Sequence, residues 1–196
     1  MIEYMMKDSN NIELSIVEKY ILMLLYAHGG KYKGKLWFHK EMFELAKVFK
    51  DLAEELDFTA FDYGPYSEAL VEYKDMLENS GFIKDLSLTD KGYEVAKQLW
   101  ENFKDKEIIR ATSEFLESLD EDELLLYIYV TSPESAEKSN VKDKIMRKRK
   151  EIALKMLREK KISLGLAAKL AGLSYFEMLD EAIKHGIKPF EVKGDI

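Results

Sequence analysis

The chain has 196 residues, 46% hydrophobic and 34% charged, with a formal net charge of −7 and no cysteine. That is enough apolar material for one domain or two small ones, and the lack of thiols excludes disulfides, thiolate metal sites and cysteine nucleophiles. No apolar run nears 18 residues and MIEYMMKDSN lacks the basic-then-apolar order of a signal peptide, so a soluble, cytoplasmic protein without a membrane span is expected.

Ser15-Ile16-Val17-Glu18 has capping-box spacing. Val17, Ile21, Leu24 and His28 then recur at helical intervals until Gly29-Gly30. Residues 31–35 form a basic loop. Phe38, Met42, Leu45, Phe49, Leu52 and Leu56, three and four apart, predict one second helix. A short aromatic, extended piece covers 58–63. Tyr63-Gly64-Pro65-Tyr66-Ser67 then predicts a turn into a helix with Tyr66, Leu70, Tyr73 and Leu77 facing inward, which Asn79-Ser80-Gly81 stops.

Phe82-Ile83 and residues 86–88 are strand-like segments around a turn. Thr89 is the N-cap of a helix that runs through Trp100. Three helices followed by a small hairpin is the order of a winged helix; the strand–helix alternation of an α/β fold is absent.

Residues 104–139 read as more helix, with a stripe of Ile108, Ile109, Thr112, Phe115, Leu116 and Leu119. Asp120-Glu121-Asp122-Glu123 is an acidic helix start, matched to the helix dipole. Pro133 sits at the first position of another helix. Ser139-Asn140 marks a domain boundary, dividing 1–139 from 140–196. A basic helix is predicted over about 142–160. Ser163 caps a short helix, Gly172-Leu173 turns the chain, and Ser174-Tyr175-Phe176-Glu177 opens a last helix that Gly186 ends, with Pro189 beyond. This pair has helix-turn-helix form, and small residues at Ala168 and Gly172 allow close helix approach. The fold class is mainly α: an N-terminal winged-helix-like domain with a small β-hairpin, further helices, and a C-terminal helix-turn-helix.

Catalytic chemistry finds little footing. Gly29-x4-Gly34-Lys35 begins like a phosphate-binding loop, but Leu36 stands where Ser or Thr would hold magnesium, so it reads as a basic inter-helix loop. His28, His39 and His185 are scattered, without metal-ligand spacing. Ser67 lacks the glycine context of a nucleophile elbow, and no carboxylate pair stands out. No catalytic residue, metal or cofactor is assigned, and the chain is not read as an enzyme. The absence of cysteine and the wealth of Lys and Glu fit a thermophile.

Two stretches carry resemblances. ISLGLAAKLAGLSYFEMLDEAIKHGI (162–187) resembles the C-terminal signature of a family of small, uncharacterised, antitoxin-like prokaryotic helix-turn-helix proteins, matching over Lys161–Glu177 and His185-Gly186-Ile187. That resemblance implies a partner of PIN-domain ribonuclease toxin type. The N-terminal part more loosely resembles Panacea (SocA-like) antitoxin domains, through Tyr63-Gly64-Pro65-Tyr66 and Leu88-Thr89-Asp90-Lys91-Gly92.

Charge separates the functional options. Residues 141–161 hold 10 Lys/Arg against 3 Asp/Glu, a net of +7, which leaves −14 for the rest. A basic block in an acidic protein points to an anionic partner. The candidate nucleic-acid-binding residues are Lys142, Lys144, Arg147, Lys148, Arg149, Lys150, Lys155, Arg158, Lys160 and Lys161, supplemented by Ser163 and Lys169, and by Ser174 and Tyr175 at the N-terminus of the last helix. The helix after the Gly-Pro turn is acidic outward, so Tyr63, Tyr66, Glu68, Glu72 and Asp75 are candidate protein contacts. The expected function is a DNA-binding transcriptional regulator of antitoxin type, holding operator DNA as a homodimer and neutralising a partner toxin. The alternative is a protein–protein interaction module without DNA binding.

Overall fold

The structure, a computed structural model, describes residues 13–188. The capping box at Ser15 forms: its hydroxyl accepts from the Glu18 N–H at 3.2 Å while its own N–H donates to the Glu18 carboxylate at 2.8 Å. The helix it opens, α1 (Ile16–Ala27), is buried along most of its length and lies at the centre of the N-terminal half.

The predicted second helix is two helices, α2 (Lys35–Ala46) and α3 (Lys50–Leu56). Phe49 stands between them in an extended conformation, φ −103° and ψ 106°. Its ring packs on Tyr20 at 5.0 Å and on Phe103 at 6.1 Å. The bend turns the chain so that Leu52 and Leu56 still reach the core, which is why the apolar spacing runs through it unbroken.

The Gly-Pro stretch departs from the expected turn. It is not a turn but a strand, β2 (Gly64–Tyr66), paired antiparallel with β1 (Thr59–Phe61) in the register Phe61↔Gly64 and Thr59↔Tyr66. The turn is Asp62-Tyr63. Proline is tolerated in a strand that pairs on one side only. Ser67 then caps α4 (Glu68–Asn79): its hydroxyl accepts from the Leu70 N–H at 3.1 Å and donates to the Leu56 carbonyl, tying α4 to the end of α3. Leu70 and Leu77 are buried, while Glu68, Glu72 and Asp75 are exposed.

A second hairpin, β3 (Ile83–Lys84) with β4 (Ser87–Leu88), follows, turning through Asp85 and Leu86 at positive φ as a tight hairpin requires. Thr89 joins it to α5 (Asp90–Asn102). Its hydroxyl donates to the Gly81 carbonyl at 2.7 Å and accepts from the Gly92 N–H at 3.1 Å. Gly92 faces the hairpin so closely that a Cβ there would lie 1.9 Å from the Phe82 carbonyl oxygen. This contact is the physical content of the Leu-Thr-x-x-Gly motif.

The second half is built from α6 (Lys106–Glu117), α7 (Glu121–Thr131), a single 3-10 turn at Pro133–Ala136, α8 (Lys142–Arg147), α9 (Arg149–Arg158), α10 (Leu164–Ala171) and α11 (Tyr175–Lys184). The basic stretch is thus not one helix: Lys148, at φ −98° and ψ 3°, breaks it and lets both Ile145 and Ile152 reach the apolar cluster around α7. The mainly α class holds, with two small hairpins rather than one. Among the described residues no helix is long and apolar enough to cross a membrane.

Buried apolar residues form two clusters, Leu14 to Ile109 and Leu116 to Ile187, so α6 contributes to both. Ser139-Asn140 is anchored to the first hairpin: the Asn140 N–H donates to the Asp62 carbonyl at 3.0 Å and its amide to the Asp62 carboxylate at 2.8 Å. The basic loop makes the other joint. Trp37 Nε1 donates to the Leu116 carbonyl at 3.1 Å, and Lys33 Nζ to those of Glu117 at 3.1 Å and Leu119 at 2.8 Å. These carbonyls lie at and just beyond the C-terminus of α6, where a cation such as Lys33 is favoured.

His28 completes the joint. Nε2 lies 2.7 Å from Glu41 and Nδ1 3.2 Å from Glu117. Burial disfavours its charge, but the hydrogen bond and charge of Glu41, with the charge of Glu117, outweigh it and raise the pKa. A raised histidine stabilises fully below its unfolded value of about 6.5, and the contribution is lost as pH rises through the folded value.

Gly92→Ala should cost about 3 kcal/mol or more, read as a fall in the urea midpoint, because backbone must move to admit the methyl group. The stability gap between wild type and His28→Gln, from denaturation at pH 6 and pH 9, should be the larger at pH 6.

Candidate nucleic-acid and protein interface

The acidic start of α7 meets the basic stretch. Asp120 and Glu123 form a capping box, each backbone N–H donating to the other's carboxylate at 2.9 Å. This fixes Glu123, whose side chain is only 1% exposed, with its carboxylate toward α9. Lys155 Nζ lies 2.9 Å from Glu123 and also contacts Asp120. Lys161 Nζ lies 2.7 Å from Glu123 and 2.7 Å from Glu159. Burial pushes the Glu123 carboxyl up, but hydrogen bonds from Lys161, the Asp120 backbone and Lys155 more than offset it, so its pKa falls. Hydrogen bonds to Asp120 and Glu123 raise Lys155 above the ordinary lysine value.

Two more candidates have internal partners. Arg149 Nε donates to the Leu170 carbonyl at 2.7 Å and Nη2 to that of Lys169 at 3.1 Å, capping the end of α10. This revises the role expected of Gly172. It sits at φ +71°, and a Cβ would fall 2.5 Å from Arg149 Nη1, so its close neighbour is the guanidinium rather than a facing helix. Lys150 Nζ lies 3.0 Å from Glu181, which also holds Lys184 at 3.0 Å. These two lysines lower the Glu181 carboxyl to about 2.

The hydroxyls of Ser163 and Ser174 accept from the Leu166 and Glu177 N–H groups at 3.2 and 3.3 Å, as N-caps. Lys144, Arg147 and Lys148 are exposed at i, i+3 and i+4 around the end of α8, sharing one side. Lys142 is half-buried beside them; Arg158, which lines a depression with Lys148, Lys150 and Lys155, is exposed, as are Lys160 and Lys169.

The helix in the recognition position carries a different surface. Met178 and Ala182 of α11 are buried against the core. On the outside, Phe176 is 75% exposed and Ile183 61%, with half-buried Leu179 between them at helical spacing and Tyr175 alongside. Exposed Glu177 and Asp180 flank the stripe. Phe176, Leu179 and Ile183 are not among the candidates drawn from the sequence. The signal was present: Phe176, Leu179 and Ile183 at i, i+3 and i+7 form a second stripe beside that of Met178 and Ala182.

The model of an uncharacterised protein family, UPF0175, matches residues 128–193. The match spans α8 to α11, so the C-terminal third is similar to that family, in agreement with the signature at 162–187. No family match supports the Panacea resemblance of the N-terminal part. Comparisons with curated proteins and with solved structures give no match.

Glu123→Gln should destabilise the protein by about 2 kcal/mol, below the full cost of breaking a buried ion pair because Lys155 and Lys161 retain access to water. Chemical denaturation at pH 7 measures it. The deficit should shrink as pH falls and the wild-type carboxylate is protonated.

Proposed function

We propose that this protein is of antitoxin type and that its main interaction is with a protein, held on the outer face of α11. The observation that carries this reading is the exposed Phe176–Leu179–Ile183 stripe with acids at its flanks. Aromatic and aliphatic anchors ringed by polar groups are what protein interfaces use. A major-groove reader would instead present cations and amides to phosphates and base edges. The one lysine within α11, Lys184, is paired with Glu181. The fitting partner is a protein with an apolar patch and cations at its rim, and the resemblance implies that it is a PIN-domain ribonuclease toxin.

The second reading is DNA binding. It is favoured by the shared exposure of Lys144, Arg147 and Lys148, with Lys142 nearby, and would use the end of α8 rather than α11.

Co-expression with the product of the neighbouring gene tests the first reading. A stoichiometric complex with suppressed RNA cleavage is expected. Phe176→Asp with Ile183→Asp should weaken it by about a hundredfold or more at unchanged helicity. A complex untouched by that double substitution would contradict the assignment.

A further inference from the structure

The Gly-Pro strand does more than close a hairpin. Between α2 and β1–β2 lies a cavity of about 400 Å³, and what lines it is unusual for a helix–hairpin joint. Lys40 is 3% exposed, and its amine donates to the Pro65 carbonyl at 2.9 Å. No carboxylate among the described residues pairs with it. Gly64, at φ +94°, adopts a conformation that favours glycine, and a Cβ there would crowd the Tyr129 ring at 3.0 Å. His39 is stacked on Tyr66, centroids 4.7 Å apart and planes 20° apart, and Tyr66 meets Phe61 at 5.1 Å. His39 Nδ1 is buried without a hydrogen-bond partner. At the mouth, Phe61 and Tyr63 are 50% and 48% exposed.

A buried ammonium without a counter-charge is costly, and a cavity beside it gives an anion room to supply that charge. The aromatic walls select what carries the anion, since rings stack on rings and an apolar lining with few polar groups is the usual form of a small-molecule site. We propose that this cavity binds a small aromatic carboxylate, its anionic group on the Lys40 ammonium and its ring against Phe61 and the Tyr66–His39 stack. The site is separate from the α11 face and does not depend on the function assigned to it.

Proton linkage gives the proposal a signature. The groups facing Lys40 are Lys35 and His39 on α2, Asp62, Tyr63 and Tyr66 of the hairpin, and Glu121 at the start of α7. Burial lowers Lys40 to about 7, so at pH 8 its amine is mostly neutral in the free protein. Burial, then the charges of Lys40 and Lys35, lower His39 to about 4, leaving it neutral there too. A carboxylate favours protonated Lys40, so binding at pH 8 takes up a proton and weakens as pH rises above 7.

The test uses the full chain with naphthalene-2-carboxylate, its carboxamide and inorganic phosphate, by calorimetry at pH 8 in two buffers of different ionisation enthalpy. The carboxylate should bind at least about tenfold more tightly than the carboxamide, with proton uptake, and should move the Gly64 and Tyr66 amide resonances. Phosphate should not compete. Lys40→Met should abolish the preference for carboxylate over carboxamide. Phe61→Ala, on an exposed side chain, should weaken both ligands without changing helicity. If Lys40→Met does not fold, proton uptake by the wild type decides. Equal binding of carboxylate and carboxamide, competition by phosphate, binding without proton uptake, or no binding of the carboxylate overturns the proposal.

Discussion

Glu123 is a buried carboxylate, and such a group must be paired or it destabilises the fold. Its own capping box holds it at the start of α7. Its partners, Lys155 on α9 and Lys161 just before α10, lie 32 and 38 residues further along. Satisfying that one side chain therefore helps dock α9 on α7 and set where α10 begins. Arg149, capping α10, and Lys150, paired to Glu181 on α11, extend the same arrangement to the last two helices.

This has a functional consequence. The +7 block that stands out in the sequence is partly neutralised within the fold, by the acidic start of α7 and by α11. A helix-turn-helix form remains, but its second helix offers phenylalanine, isoleucine and acids to the outside. Form and surface chemistry point in different directions.

Local signals were legible in the sequence. The capping boxes at Ser15 and Ser174, the caps at Thr89 and Ser163 and the stops at Gly81 and Gly172 act within a turn of their own positions, so spacing alone reveals them. The breaks at Phe49 and Lys148 were not legible, because apolar periodicity continues through both and tertiary packing decides the bend. Nor was the strand at Gly64–Tyr66, where glycine and proline imitate a turn and pairing with Thr59–Phe61 overrides them. The ion pairs of Glu123 and the burial of Lys40 depend on contacts far along the chain, and a lysine among helical neighbours gives no sign of being buried. His28 was half legible, as a polar residue ending an apolar stripe.

Four of the basic block's ten cations, Arg149, Lys150, Lys155 and Lys161, are engaged inside the fold. The salt dependence of binding to a non-specific duplex measures it directly, as the slope of log Kobs against log salt. With those four withdrawn, at most six of the block's cations can reach phosphate, which gives a slope no steeper than about −5.5. A slope near −9, as about ten phosphate contacts would produce, would contradict the account.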